Sequence, residues 1–210
     1  MKIDLHVHTS DRSDCGQASQ EEQIRAAIAA GLDGLMFTDH HRLVPPAVLA
    51  RLNKRFAPFR IFSGIEITVV EKEDILVTGF SDKRLESRDW HYPALQEFVR
   101  SRGGFLCLAH PFRYHPEINI DLAGYPPDAL EIYSWNIIRE NSGRIRKTAE
   151  KLNIPVVCNS DSHSSERIGL FYNILHRVPT DEKELAEILR QGAFHTIIPD
   201  SGLLDKKDSP

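Results

Sequence analysis

The sequence predicts a single α/β domain of barrel-like type over residues 1–200, built from alternating strands and amphipathic helices. Three observations carry this. Short apolar runs alternate with stretches of helical apolar spacing along the whole chain, the pattern of βα units. No linker, composition break or internal repeat divides it. Finally, His8, His40, Glu66, His110, Asp161 and His163 all lie within or just beyond the ends of short apolar strands. In barrel-like α/β folds those strand ends converge on one face, where active sites are built.

The first strand covers residues 4–8, Asp-Leu-His-Val-His. Period-2 alternation places Ile3, Leu5 and Val7 on one face and Asp4, His6 and His8 on the other. Two imidazoles on one strand face can grip a metal ion from a rigid base. The same pattern also fits a polar, solvent-facing strand, so downstream residues must decide. A polar loop follows over 9–18. Ser19 and Glu22 have the spacing of a capping box ahead of Ile24, Ala27 and Ile28, and Gly31 suits a left-handed C-cap. Residues 34–37 form a short strand ending in Thr38-Asp39-His40-His41. Pro45 and Pro46 open a helix to about residue 55. Residues 60–70 read as one strand carrying Glu66, with 74–80 as its partner.

A helix starts at Pro93, with Leu95, Phe98 and Val99 on one face, and stops at Gly103-Gly104. Strand 105–109 runs directly into His110-Pro111. Strand 129–133 precedes a helix over 138–152, and strand 156–158 ends in Asn159-Ser160-Asp161-Ser162-His163. Strand 172–176 leads to a helix capped by Thr180 and ended by Gly192, and residues 196–198 form a last strand. The tail, 201–210, is poor in apolar side chains towards its end and is expected to fray.

Composition narrows the function classes. With 210 residues, 41% hydrophobic and 27% charged, the chain is an ordinary soluble globular protein with one sizeable core. A formal net charge of −4 gives no global basic field for nucleic acid. Three cysteines without paired spacing argue for a reducing compartment, and no apolar run reaches membrane-span length. A cytoplasmic protein is expected, with no membrane association and no obligatory protein partner.

Imidazole nitrogens with carboxylate oxygens suit Mn, Zn or Fe, and the mixture is too rich in nitrogen for Mg or Ca alone. The ligands also exceed one ion's needs. Two or three divalent ions sharing a bridging carboxylate is the economical arrangement, with Glu66 as the bridge. Paired ions clamp the attacking and leaving oxygens of an in-line displacement and acidify a bound water to a hydroxide nucleophile. That chemistry points to hydrolysis of a phosphate ester.

The series Asp4-Leu5-His6-Val7-His8-Thr9, Thr38-Asp39-His40, Gly64-Ile65-Glu66, Ala109-His110-Pro111 and Ser160-Asp161-Ser162-His163 resembles the PHP (polymerase and histidinol phosphatase) family across essentially the whole chain. The resemblance implies a distorted (β/α)7 TIM-like barrel with a di- or trinuclear metal centre at the strand C-termini. It implies His6, His8, Glu66 and Asp161 as one metal's ligands, Asp14, His40 and His163 as a second cluster, and His110 with Glu66 as a third. A further histidine usual in the third cluster is missing. Asp74 is the best-placed replacement, and a strand-start Asp in water is the alternative.

The expected catalytic set is Glu66, Asp161 and His163, with Arg113 and Arg167 placed to grip phosphate oxygens in a bidentate fork. Both arginines fit a solvated loop equally well. Asp39 is the expected orienter of a ligand imidazole. Glu131 and Asn136 are pocket-lining candidates, His41 a supporting or substrate-contacting one, and Cys15 has no assigned role. The function expected is a stand-alone, metal-dependent phosphoesterase acting on a small phosphorylated substrate or a short oligonucleotide. One rival is an amidohydrolase, which also opens on His-x-His but normally carries a bridging Lys absent here. The other is a degenerate, non-catalytic module, disfavoured by the near-complete ligand set.

Overall fold

The computed structural model of the chain describes residues 1–197. Elements follow in the order β1 (Lys2–Val7), α1 (Gln20–Ala29), β2 (Gly34–Phe37), α2 (Pro46–Phe56), β3 (Arg60–Ser63), β4 (Ile65–Thr68), β5 (Asp74–Thr78), α3 (Tyr92–Arg100), β6 (Phe105–Leu108), β7 (Ala129–Tyr133), α4 (Asn141–Leu152), β8 (Val156–Cys158), β9 (Tyr172–Leu175), α5 (Glu182–Arg190) and β10 (Phe194–Ile197). The expected tail, and the last residue of the strand expected at 196–198, lie outside the described residues.

Local chemistry explains most boundaries. The capping box forms: the Glu22 N–H donates to Ser19 Oγ at 3.3 Å, and the Ser19 N–H donates back to the Glu22 carboxylate at 2.8 Å. The N-cap of α5 is Asp181 rather than Thr180, because Asp181 Oδ1 accepts the Glu184 N–H at 2.8 Å. Helix α4 begins at Asn141 rather than 138, since the preceding residues close i→i+3 turns, Asn141 N–H to the Ile138 carbonyl and Ser142 N–H to that of Arg139. It ends on Asn153 in the left-handed region at φ 53°.

The strand expected over 60–70 is two strands in two different sheets, separated at Gly64. An added Cβ at Gly64 would lie 2.8 Å from Met36 Sδ and 3.0 Å from the Val77 carbonyl oxygen. Only glycine lets the backbone pass that close, and there the chain crosses from one sheet to the other. The first sheet has the order β10-β9-β1-β2-β3 and the second β4-β5-β6-β7-β8. Strands β1-β2-β3 and β6-β7-β8 are parallel, whereas β9 and β10 and the pairs β4-β5 and β5-β6 are antiparallel.

A closed ring of seven parallel βα units is therefore not what the described residues form. Side chains take the place of backbone ladder at the seams. At one seam, Asn173 of β9 accepts the Cys158 N–H at 3.1 Å and donates to the Cys158 carbonyl at 2.9 Å, as a paired strand would. At the other, the Thr78 hydroxyl donates to the Ser63 carbonyl at 3.2 Å. Two isolated bridges also join the sheets, Val7 with Ser162 and His40 with Glu66.

The core lies between the sheets. Ile3, Leu5, Met36, Phe62, Leu76, Cys107, Ala109, Ala129 and Val157 pack there with Leu185, Ala186, Ile188 and Leu189 of α5. Outside, Leu35, Phe37 and Ile61 pack on one flank with Ile24 and Leu52, and Ile65, Ile67, Leu106 and Leu130 on the other with Leu95, Val99 and Ile145. Alternation thus turns Glu66 and Glu131 inward. Strand β1 departs from strict alternation: Ile3 and Leu5 join the inner core, but Val7 joins the outer cluster of Ile24 and Leu35. A register shift between Asp4 and Val7 causes this, as a bulge adds one residue and re-aims those after it.

Candidate metal centre

The first contributors are the residues at the end of β1. The bulge leaves both His6 and His8 fully buried, with their Nε2 atoms 3.1 Å apart. Glu66, on β4, reaches the same point from the opposite sheet. Its Oε1 lies 3.4 Å from His6 Nε2 and 3.0 Å from His110 Nε2, and its Oε2 lies 3.0 Å from His8 Nε2 and 3.2 Å from His40 Nδ1. Asp161 closes the cluster, with Oδ1 3.2 Å from His8 and 3.3 Å from His6. His110 and Asp161 lie two and three residues past the ends of β6 and β8, with φ of 28° and 51°, values that a residue with a Cβ rarely adopts. Such strained positions concentrate at functional sites, and here both carry ligand-type side chains.

Among the described residues, four overlapping groups of ligand atoms result: His6, His8 and Glu66; His6, His110 and Asp161; Glu66, Asp74 and His110; and His8, Cys15, His40 and His163. Within each group the atoms lie within 4.8 Å of one another. The polar chemistry is incomplete without a cation. His8 Nδ1 and Asp161 Oδ1 are buried and lack any hydrogen bond. Burial disfavours charge on His8, but Asp161 and Glu66 outweigh it and raise its pKa to about 9. Burial likewise opposes ionisation of Glu66 and Asp161, yet the imidazoles hold both well below the usual carboxylate range. Buried anions that draw protons onto their imidazole neighbours form a site that also favours a divalent ion, whose binding releases those protons. The donor set fits transition metals.

Asp74 is buried at the start of β5, with Oδ2 3.8 Å from His110 Nε2, so it is not a solvated strand-start carboxylate. His163 stacks on His8, centroids 4.4 Å apart, and burial with the neighbouring His8 lowers its pKa to about 4. Arg113, half-buried, brings Nη1 to 3.4 Å from Asp161 Oδ2. Arg167 is placed elsewhere: it is exposed and lies over the Trp135 ring, 5.6 Å from its centroid. Asp14 is exposed and belongs to none of the four groups.

Two expected supporting residues do other work. Asp39 accepts from the backbone N–H of Thr9 at 2.7 Å and from its hydroxyl, so it pins the loop after β1 instead of orienting an imidazole. His41 has both ring nitrogens engaged, one with the Thr68 N–H and one with the Ser87 carbonyl. The imidazole orienter is Glu131. Its Oε1 lies 3.0 Å from His6 Nδ1 and accepts from Asn159 Nδ2 at 2.8 Å, and its Oε2 accepts the His110 N–H at 3.0 Å. Asn159 in turn accepts from Asn173 at 3.0 Å. The signal for Glu131 was its place between Leu130 and Ile132, the lone charge in an apolar strand. Asn136 lines the site through a hydrogen bond to Asp161 Oδ2.

Beside His40 opens a cavity of about 560 Å³ whose lining includes Arg12, Arg42, Lys72 and Arg88. In a chain of net charge −4, four cations around one opening draw anions towards the ligand cluster.

A fold of this kind around such a donor set defines a metal-dependent hydrolase. The chain belongs to the PHP family: the PHP domain model matches residues 4–139, and the PHP-associated model residues 139–194. The ligand-type residues come from both segments, with Asp161 and His163 in the second. Among curated proteins, none matches. Solved structures share the fold. PsfC from Pseudomonas syringae PB-5123 superposes with a TM-score of 0.69 at 17% identity, over 99% of this chain and 96% of that one. A two-domain Bacteroides vulgatus protein containing a predicted PHP-like metal-dependent phosphoesterase gives 0.71 at 16%, over 95% of this chain and 65% of that one. An amidohydrolase from Chromobacterium violaceum, solved with bound sulfate and no metal, gives 0.64 at 15%, over 96% and 99%. Among the described residues, no helix is long and apolar enough to cross a membrane.

Proposed function

We propose that residues 1–200 act as one unit that hydrolyses a phosphate ester at a centre of two or three Mn, Zn or Fe ions, on a small phosphorylated substrate or a short oligonucleotide in the cytoplasm. The observation that carries this reading is the sharing of Glu66 among four imidazoles at 3.0–3.4 Å. One carboxylate so placed suits a bridge between ions. His6, His8 and Asp161 would hold one ion with Glu66, and His110 and Asp74 would hold another on its far side. Divalent ions in those places supply an acidified water and offset the charge developing on a phosphoryl group.

The chain's own residues do the rest. Glu131 fixes the His6 ring and the His110 backbone, so the donors keep their aim. Arg113, beside Asp161, is placed to pair with a phosphoryl oxygen, and its hydrogen bonds would strengthen as charge builds there. Arg12, Arg42, Lys72 and Arg88 raise the local concentration of anionic substrate.

The test is a screen of phosphorylated metabolites and short oligonucleotides against Mn-loaded or Zn-loaded protein, repeated after chelation. We expect phosphate release that chelation abolishes, with solvent oxygen from labelled water on the released phosphate. Full activity after exhaustive chelation would refute the reading. A second reading, an amide hydrolase, is favoured by the likeness to the Chromobacterium violaceum protein and by the His-x-His of β1, a pattern on which amidohydrolases as a class also open. Turnover of amides or lactams, with no phosphoester hydrolysed, would select it.

A further inference from the structure

We infer that His176 and His195 form a separate metal site, a surface chelate of two imidazoles for Cu(II), with Ni(II) and Zn(II) held more weakly. Neither residue belongs to the four groups of the ligand cluster, and the inference does not rest on the proposed reaction. The two ring centroids lie 4.5 Å apart, with the ring planes inclined at 58°. Inside the ligand cluster, His6 and His8 stand in nearly the same relation, 5.0 Å and 58°, and there the Nε2 atoms are 3.1 Å apart. Imidazoles at that spacing can share one ion, since metal–nitrogen bonds are about 2.0–2.1 Å long.

The sheet fixes the pair. Strands β9 and β10 are antiparallel, with Leu175 opposite Phe194 and Ile174 opposite His195. The His176 N–H donates to the Ala193 carbonyl at 3.0 Å and extends the ladder by one step. His176 and His195 are therefore diagonal neighbours on one face, within reach of each other's long side chains. Leu175 and Phe194 point the other way, into the core between the sheets, and anchor both strands. Between the two histidines the chain makes α5, whose Leu185, Ala186, Ile188 and Leu189 join the same core. The backbone under the chelate is thus held before an ion arrives, which lowers the ordering cost of binding. Both histidines are exposed, so an ion reaches them from solvent. Arg177, the cation next in sequence, is paired with Glu184.

Two neutral nitrogens select the ion. Imidazole suits Cu, Ni and Zn, and affinity along the first-row divalent series peaks at Cu(II), whereas Mg and Ca prefer oxygen. Two protein ligands leave the remaining coordination positions to water, so the bound ion stays exchangeable.

The experiment uses the full chain loaded with Zn, freed of excess metal and titrated with Cu(II), while elemental analysis follows both metals. Wild type is expected to bind one Cu(II) per chain beyond its zinc, with splitting from two imidazole nitrogens in the electron paramagnetic resonance spectrum. His176→Gln and His195→Gln should each weaken that binding at least about tenfold, because the second imidazole no longer acts at a high effective concentration. Both variants should keep the zinc content and circular dichroism of wild type. Undiminished Cu(II) binding in the double variant, a spectrum with a single nitrogen, or copper taken up only as zinc is lost would each overturn the inference.

Discussion

Glu131 shows what a single residue contributes to a centre it does not face directly. Its two oxygens hold the ring of His6 and the backbone of His110, which come from β1 and the end of β6. Glu131→Gln keeps the volume but gives up one oxygen and the negative charge. We expect metal affinity to fall about 10- to 100-fold with circular dichroism unchanged; unaltered affinity in a metal titration would show that the contact is passive. Glu66 is the stronger case. Under saturating metal, Glu66→Gln should cost more phosphoesterase activity than Asp74→Asn, because Glu66 meets four imidazoles and Asp74 only one. Equal and mild losses would remove Glu66 as a bridge. At this scale the sequence was legible wherever a residue sits at a strand end: His6, His8, His40, Glu66, His110, Asp161 and His163 all meet in space. For Asp39 the role was not legible, and for Glu131 the place in the pocket was but not the task, since each role depends on which backbone or ring the side chain reaches across the fold.

At the scale of elements, polar side chains do what strand pairing does elsewhere. Asn173 supplies both halves of a backbone hydrogen-bond pair to Cys158 and passes a third bond to Asn159, which holds Glu131. Asn173→Ala would leave a buried N–H and a buried carbonyl unpaired, costing about 2–4 kcal/mol. It should also loosen His6 through Asn159 and Glu131. Denaturant unfolding and a metal titration on the same variant would check both effects. A stability loss under about 0.5 kcal/mol would mean water replaces the amide there. The break at Gly64 and the bulge in β1 were not legible for a related reason. Residues 60–70 carry an unbroken β-type pattern, and nothing local states that Met36 and the Val77 carbonyl crowd one position.

For the whole molecule, the alternation of strands and helices was legible, and so was the inward end where the polar residues gather. The division into two sheets in place of a closed barrel was not, because it rests on seams between elements distant in sequence. Both isolated bridges between the sheets, Val7 with Ser162 and His40 with Glu66, lie beside ligand-type residues. Ions bound there would also tie the two sheets together. We expect Zn or Mn to raise the thermal midpoint and a chelator to lower it, by about 2.7 kcal/mol of stability when free metal is a hundredfold above its dissociation constant. A midpoint indifferent to both would show that the ligand cluster holds no ion in the folded state.

The seam at Asn173 also bears on the order in which the chain is made. His6 and His8 leave the ribosome long before Asn159, yet the N–H of Leu5, just ahead of them, is received by Asn159, 154 positions later. Asn159 is itself held by Asn173. The earliest ligands are therefore the last to be aimed, and nascent chains that stop short of β9 carry two histidines with no settled geometry. Zinc uptake during synthesis should lag chain length until residue 173 is clear of the exit tunnel and then rise sharply. A family of stalled chains of increasing length would display that step.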